Sequence, residues 1–229
     1  MTTPLAIGRY GAMMALVLTL GMRLQAQPIT AAWPRYHGPD NTNRSTETGL
    51  LKRWPAEGPT LLWRATGLGK GYSSVAVVDD RIYTAGMTDK QTAVIALNLD
   101  GKEVWRQING QSWETDKAYA KAYAGSRGTP TYAGHRVYHV ADMGSLTAFD
   151  ASTGAKVWNV DLLARFEGDM PKYGLSESVL VKGDRLFCSP AGRRAFVACL
   201  SIVDGSTIWI NKDIPGALGY ASLSLVEEG

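Results

Sequence analysis

The chain has 229 residues, a formal net charge of +3, 45% hydrophobic and 20% charged residues. That balance excludes disordered and fibrous classes and describes a globular protein. Gly 25, Tyr 10 and Trp 7 against Phe 4 point to many turns and half-buried strands.

Residues 1–26 read as a secretory signal peptide. Arg9 supplies the positive start, an apolar run follows from Gly11 to Met22, and Ala26 offers a small residue for cleavage. The run is short for a membrane span, an uncleaved anchor being the alternative. Cleavage after Ala26 leaves 203 residues at +1 with no basic run, so no nucleic-acid partner and no membrane span are expected. The expected address is the periplasm or the extracellular space. Residues 27–53, with Pro28, Pro34 and Pro39, read as an irregular lead-in. From residue 54 onward the pattern turns to strands, opening with "PTLLWRA" as an outer strand that carries Trp63.

The remaining chain repeats itself. "DGKEVW", "TGAKVW" and "DGSTIW" end on Trp105, Trp158 and Trp209, each four residues after Gly101, Gly154 or Gly205. Ahead of each lie an apolar strand, a turn closing on Arg81, Arg136 or Arg185, a second strand and a third. The intervals of 53 and 51 residues between tryptophans are those of propeller blades. The fold expected is all-β: four-stranded antiparallel blades at about 71–108, 125–162 and 174–214, with the start of another at 219–229. One blade cannot cover both its faces, so neighbours must cover it. A tryptophan buries ~150–250 Å², worth ~4–6 kcal/mol at most. Trp63, Trp105, Trp158 and Trp209, with the three glycines, are therefore structural docking residues. Cys188 and Cys199 fall on neighbouring strands, where a disulfide and two buried thiols are both open. With no third cysteine or histidine beside them, no metal site is expected.

"AFDASTGAKVW" resembles the tryptophan-docking repeat of the pyrroloquinoline-quinone (PQQ) β-propeller superfamily, Ala-x-Asp-x-x-x-Gly-x-x-x-Trp, through Ala148, Asp150, Gly154 and Trp158. The first unit is one residue short with Asn98 for the aspartate, and the third carries Cys199 and Ser201. "WPRYHGPD", "LLKRWPAEGPTLLW" and "GLSESVLV" are similar to secreted PQQ-like repeat proteins, a group labelled as outer-membrane assembly propellers or polyvinyl-alcohol dehydrogenases. The resemblance implies a ring of seven or eight blades, of which this chain would hold about three plus flanking strands. A truncated product and an oligomer that closes the ring are the alternatives.

Propeller ligands meet the channel rim at the heads of the inner strands. The candidates there are Lys70, Tyr72 and Ser73; Arg127 and Thr129; Tyr173, Ser176 and Glu177; and Tyr220 and Ser222. Charges at Arg127 and Glu177 must face water, an opposite charge or a ligand. The insertion 112–123 reads as a tolerated loop, with a lid or a partner contact as the alternative. No recognisable catalytic set accompanies these residues, which leaves catalytic residues unassigned. The leading expectation is a non-catalytic scaffold whose rim meets a protein or polysaccharide. The alternative that the resemblance implies is a quinoprotein dehydrogenase, in which PQQ and calcium oxidise an alcohol.

Overall fold

The computed structural model describes residues 32–190, 192–213 and 219–226; the expected signal peptide, residues 1–26, lies outside them. Its strands form three four-stranded antiparallel sheets, each in chain order from inner to outer edge. Blade one contains β1 (Ala76–Val78), β2 (Arg81–Thr88), β3 (Gln91–Asn98) and β4 (Glu103–Gln111). A short helix α1 (Ala118–Lys121) precedes blade two, made of β5 (Thr131–Ala133), β6 (Arg136–Val140), β7 (Ser145–Asp150) and β8 (Lys156–Asp161). After α2 (Leu162–Phe166), blade three follows as β9 (Leu180–Lys182), β10 (Arg185–Cys188), β11 (Val197–Ser201) and β12 (Thr207–Asn211). These are blades of a β-propeller.

Register explains the repeated residue types. One cross-strand row runs Ala76, Tyr83, Ala96, Trp105 in blade one and Thr131, Tyr138, Ala148, Trp158 in blade two. In blade three it runs Leu180, Phe187, Cys199, Trp209. The third place is small because the second-strand aromatic reaches over it toward the tryptophan. The ring centroids lie 5.9, 5.8 and 6.1 Å apart in the three blades, within the range of favourable aromatic pairs. Cys199 thus occupies the alanine's place in the repeat.

The same register corrects the disulfide reading. Cys199 faces Phe187 and Cys188 faces Ala198, so the two cysteines project from opposite faces of the sheet. Both are buried and free.

Trp63, Trp105 and Trp158 each dock on the turn of the following blade. A Cβ added to Gly101, Gly154 or Gly205 would lie 2.6, 2.7 or 2.9 Å from a ring carbon of Trp63, Trp105 or Trp158 respectively. Those glycines also sit at φ +76°, +75° and +72°, a conformation in which a side chain is strained. Trp105 Nε1 donates to Ala151 O and Trp158 Nε1 to Ile202 O, both at 2.9 Å. Asp150 shapes the turn that receives Trp105, accepting from the Ser152 and Thr153 hydroxyls and amides. Those bonds hold its carboxyl at about 2. Arg136 adds a link from blade two to the carbonyls of Ile202 and Val203 in blade three.

The flanks depart from expectation. Residues 59–65 form no ladder and expose Leu61 and Leu62, although Trp63 still covers Gly101. Residues 219–226 likewise carry no strand. The lead-in is anchored through Trp33, which exchanges backbone hydrogen bonds with Val77 at 2.8 and 2.9 Å.

Trp105 is 7% exposed and Trp209 is 40% exposed. Trp105→Ala should cost ~3–5 kcal/mol of unfolding free energy, and Trp209→Ala well under half of that, as read from urea midpoints. Equal losses would mean that inter-blade docking is not what stabilises the fold. Neither cysteine should react with a thiol reagent until denaturant is added.

Candidate functional site

The heads of the inner strands are tied in series by one repeated device. The amide of Ser74 donates to Thr129 Oγ1 (3.1 Å), that of Thr129 to Ser178 Oγ (2.9 Å), and that of Ser178 to Ser222 Oγ (2.9 Å). Each blade thereby satisfies an otherwise orphaned inner-edge donor of its predecessor. This ladder places Ser222 as the head after blade three, in a segment without strand assignment.

One residue earlier in each unit, the side chains differ while the space is conserved. Ser73 Oγ accepts from the Ala85 amide in blade one. Glu177 takes the same place in blade three, accepting from the amide and hydroxyl of Ser189 at 2.9–3.1 Å. In blade two the place belongs to Gly128, whose missing side chain leaves room for His139, with Nε2 3.1 Å from Gly128 O. At the equivalent place on the second strand the three blades carry Thr84, His139 and Cys188. Glu177 is therefore buried behind the rim rather than presented on it.

Burial drives the electrostatics of this layer. The Glu177 carboxyl is raised to about 7 by desolvation, against the opposing hydrogen bonds of Ser189. Burial pushes the neighbouring Cys188 thiol up, and Glu177 adds to that rise. His139 is lowered to about 4 by desolvation. It stands as a neutral imidazole, with Asn109 Nδ2 donating to its Nδ1 and its carbonyl at 2.9 Å. Asp142, also buried, accepts from Thr92 Oγ1, Ser112 Oγ and the Trp113 amide, each at 2.7 Å.

The exposed rim gathers most of the expected residues and some unexpected ones. Arg127 is its centre. Its guanidinium lies 5.8 Å from the Tyr72 ring and 5.4 Å from the Trp113 ring, and it donates to the carbonyls of Tyr173 and Tyr123. Tyr173 meets Trp113, Tyr123 and Tyr220 at centroid distances of 5.8, 5.9 and 6.1 Å. Ser176 Oγ donates to Tyr220 O at 3.1 Å. A cavity of about 410 Å³ opens among Tyr123, Arg127, Tyr173, Ser176 and Tyr220. A second, of about 330 Å³, shares Arg127, Ser176 and Tyr220, and reaches from Tyr72 down to Tyr36 and His37.

Lys70 does not line these cavities. Its backbone pairs with Met87, N–H to O at 2.9 Å in one direction. The aromatics of the 112–123 insertion were not among the expected site residues, yet Trp113 is buried against Arg127 and Tyr123 closes one wall. The legible signal was three aromatics, Trp113, Tyr119 and Tyr123, within eleven residues just upstream of Arg127. The insertion is held in place through Asp142 rather than swinging free.

The quinone cofactor and the calcium implied by the repeat ask for different donors. Arg127 could face a carboxylate of the quinone, but calcium takes six to eight oxygens with carboxylates prominent among them. No carboxylate lines either cavity; Glu177 is engaged with Ser189 and Asp142 with Thr92 and Ser112. The residues lining these two cavities therefore do not fit a calcium ion.

Glu177 and His139 pull stability in opposite directions with pH. A carboxyl raised from 4.5 to about 7 on folding stabilises the fold below pH 4.5, an advantage lost as pH rises to 7. An imidazole lowered from 6.5 to about 4 stabilises the fold above pH 6.5, an advantage lost as pH falls to 4. The two slopes should nearly cancel in the native chain. Glu177→Gln should unmask a loss of ~3 kcal/mol on acidification from pH 6.5 to 4, and His139→Asn a loss of similar size on raising pH from 4.5 to 7. Urea midpoints across that range would show both; flat profiles in both variants would refute the assignment.

Comparison with known proteins places the chain. A family profile described as "Outer membrane protein assembly factor BamB" matches residues 90–227, more than half of the chain. The protein of that description from Salmonella typhimurium (strain LT2) is 33% identical over 106 residues, covering 44% of this chain and 26% of that protein. The matched region thus spans about a quarter of the relative's length. Among solved structures, a europium-containing methanol dehydrogenase aligns at TM-score 0.48 and 21% identity, covering 66% of this chain and 26% of that one. BamB from Moraxella catarrhalis aligns at TM-score 0.40 and 17% identity, covering 58% and 34%. No helix among the described residues is long and apolar enough to cross a membrane. By the profile match and the repeated tryptophan-docking blades, the chain belongs to the PQQ-type repeat family described as outer membrane protein assembly factor BamB.

Proposed function

We propose that the chain is a non-catalytic binding scaffold of the cell envelope, exported by its N-terminal segment, whose rim engages a protein or polysaccharide partner. The observation that carries this reading is the exposed aromatic and arginine rim. Tyr72, Tyr123 and Tyr220 are 58%, 50% and 48% exposed around Arg127, and their residue types are those that concentrate binding energy at interfaces. The buried carboxylates nearest the rim are already engaged, Glu177 with Ser189 of its own blade and Asp142 with Ser112 after blade one. The family's description as an assembly factor agrees with a role in holding partners rather than transforming them.

A photo-reactive residue placed at Tyr72 in the exported protein should give discrete adducts in the envelope. The same residue at Asp184, in the β9–β10 turn at the far end of blade three, should not. Adducts of equal yield from both positions, or none from Tyr72, would overturn the reading.

A further inference from the structure

The lead-in does more than precede the blades. Trp33 pairs with Val77 beside β1, the Pro34 carbonyl accepts from the Tyr132 amide of β5 at 2.7 Å, and Arg35 Nη1 donates to Val181 O of β9 at 2.8 Å. Three consecutive residues thus touch the inner strands of blades one, two and three in turn. All three contacts fall close to where the inner strand turns into the second, at the end opposite the rim. The next two residues, Tyr36 and His37, packed edge to face at 4.7 Å, line the 330 Å³ cavity whose lip is Tyr72, Arg127 and Tyr220. Asn43 fixes the imidazole from behind, 2.9 Å from its Nδ1. The strap crosses the three inner strands near their turn ends, and its Tyr36 and His37 form the floor of the rim cavity.

This floor narrows the choice of ligand. An extended peptide adding to the inner strands would need their free backbone edges, but Trp33 and Pro34 already hold Val77 and Tyr132. The walls that remain are tyrosine rings, serine hydroxyls, an imidazole and one guanidinium. Aromatic faces suit the C–H faces of a sugar ring, and hydroxyls and imidazole suit its alcohols. A cavity of this volume holds a small ligand rather than a protein surface. Arg127 has five N–H donors, spends two directions on the carbonyls of Tyr123 and Tyr173, and forms no ion pair among the described residues. A carboxylate is the group a guanidinium recognises most strongly.

We infer that the pit between Tyr72, Tyr220 and the strap residues Tyr36 and His37 is a saccharide subsite, in which Arg127 selects an acidic sugar unit. This site stands only if the rim is the binding face.

The test is calorimetric titration of the purified chain with tetragalacturonate and, separately, with its methyl ester. The acid should bind and the ester should bind at least tenfold more weakly. Arg127→Gln should remove most of that difference, while His37→Ala weakens both ligands. If Arg127→Gln fails to fold, as judged by circular dichroism, Tyr36→Ala in the native background replaces it and should weaken both ligands at least fivefold. Equal affinity for acid and ester would overturn selection by Arg127. Absence of binding to either, with cross-linking from Tyr72 intact, would overturn the saccharide subsite and leave the scaffold standing. Absence of both would remove the scaffold reading as well.

Discussion

The structure depends on a tryptophan laid flat on a glycine that belongs to the next blade. A single four-stranded sheet leaves both faces wet, so a blade becomes stable only through what its neighbours cover. The Trp105 ring over Gly154 does this, so close that a Cβ there would lie 2.7 Å from it, and its indole N–H ends on Ala151 O in the same turn. Any side chain on the glycine would displace the ring, and the turn's positive φ independently disfavours one. Two unrelated constraints therefore fall on one residue, and this is why the glycine recurs with the tryptophan.

The inner edge is joined differently from the outer. At the outer edge the coupling is apolar contact, an indole hydrogen bond and, from blade two to blade three, the Arg136 guanidinium on the same turn. At the inner edge it is a relay of hydroxyls from Thr129 to Ser178 to Ser222, each accepting the preceding blade's amide. Polar coupling at the inner heads places the hydroxyls of Ser178 and Ser222 along one of the rim cavities. In the buried layer beneath, Glu177 and His139 find partners within their own blades, and Asp142 finds one on blade one.

Much of the rim was legible before any coordinates. Tyr72, Arg127, Tyr173 and Ser176 lie at the inner-strand heads, as repeat alignment requires, and they do surround shared cavities. Glu177 aligned with them equally well but turned inward, because Ser189 on the adjoining strand offers its carboxylate an amide and a hydroxyl. Lys70 lies two residues before Tyr72 and its backbone is instead taken up by Met87. Trp113 and Tyr123 were hidden in an insertion that breaks the repeat, so no alignment between blades could place them.

The amino-acid sequence by itself determined the blades: strand order, the turn chemistry and the tryptophan spacing all follow from local residue types and a period that needs no partner to be read. It also determined which residues stand at the heads of the inner strands. Only the tertiary structure decided which of those heads face solvent, that Cys188 and Cys199 lie on opposite faces, and that Trp33, Pro34 and Arg35 strap three blades together. The physical reason is range. Periodicity encodes contacts that repeat with the chain, whereas the direction of one side chain and the path of a non-repeating segment are set by neighbours tens to more than a hundred residues away, as Arg35 and Val181 are.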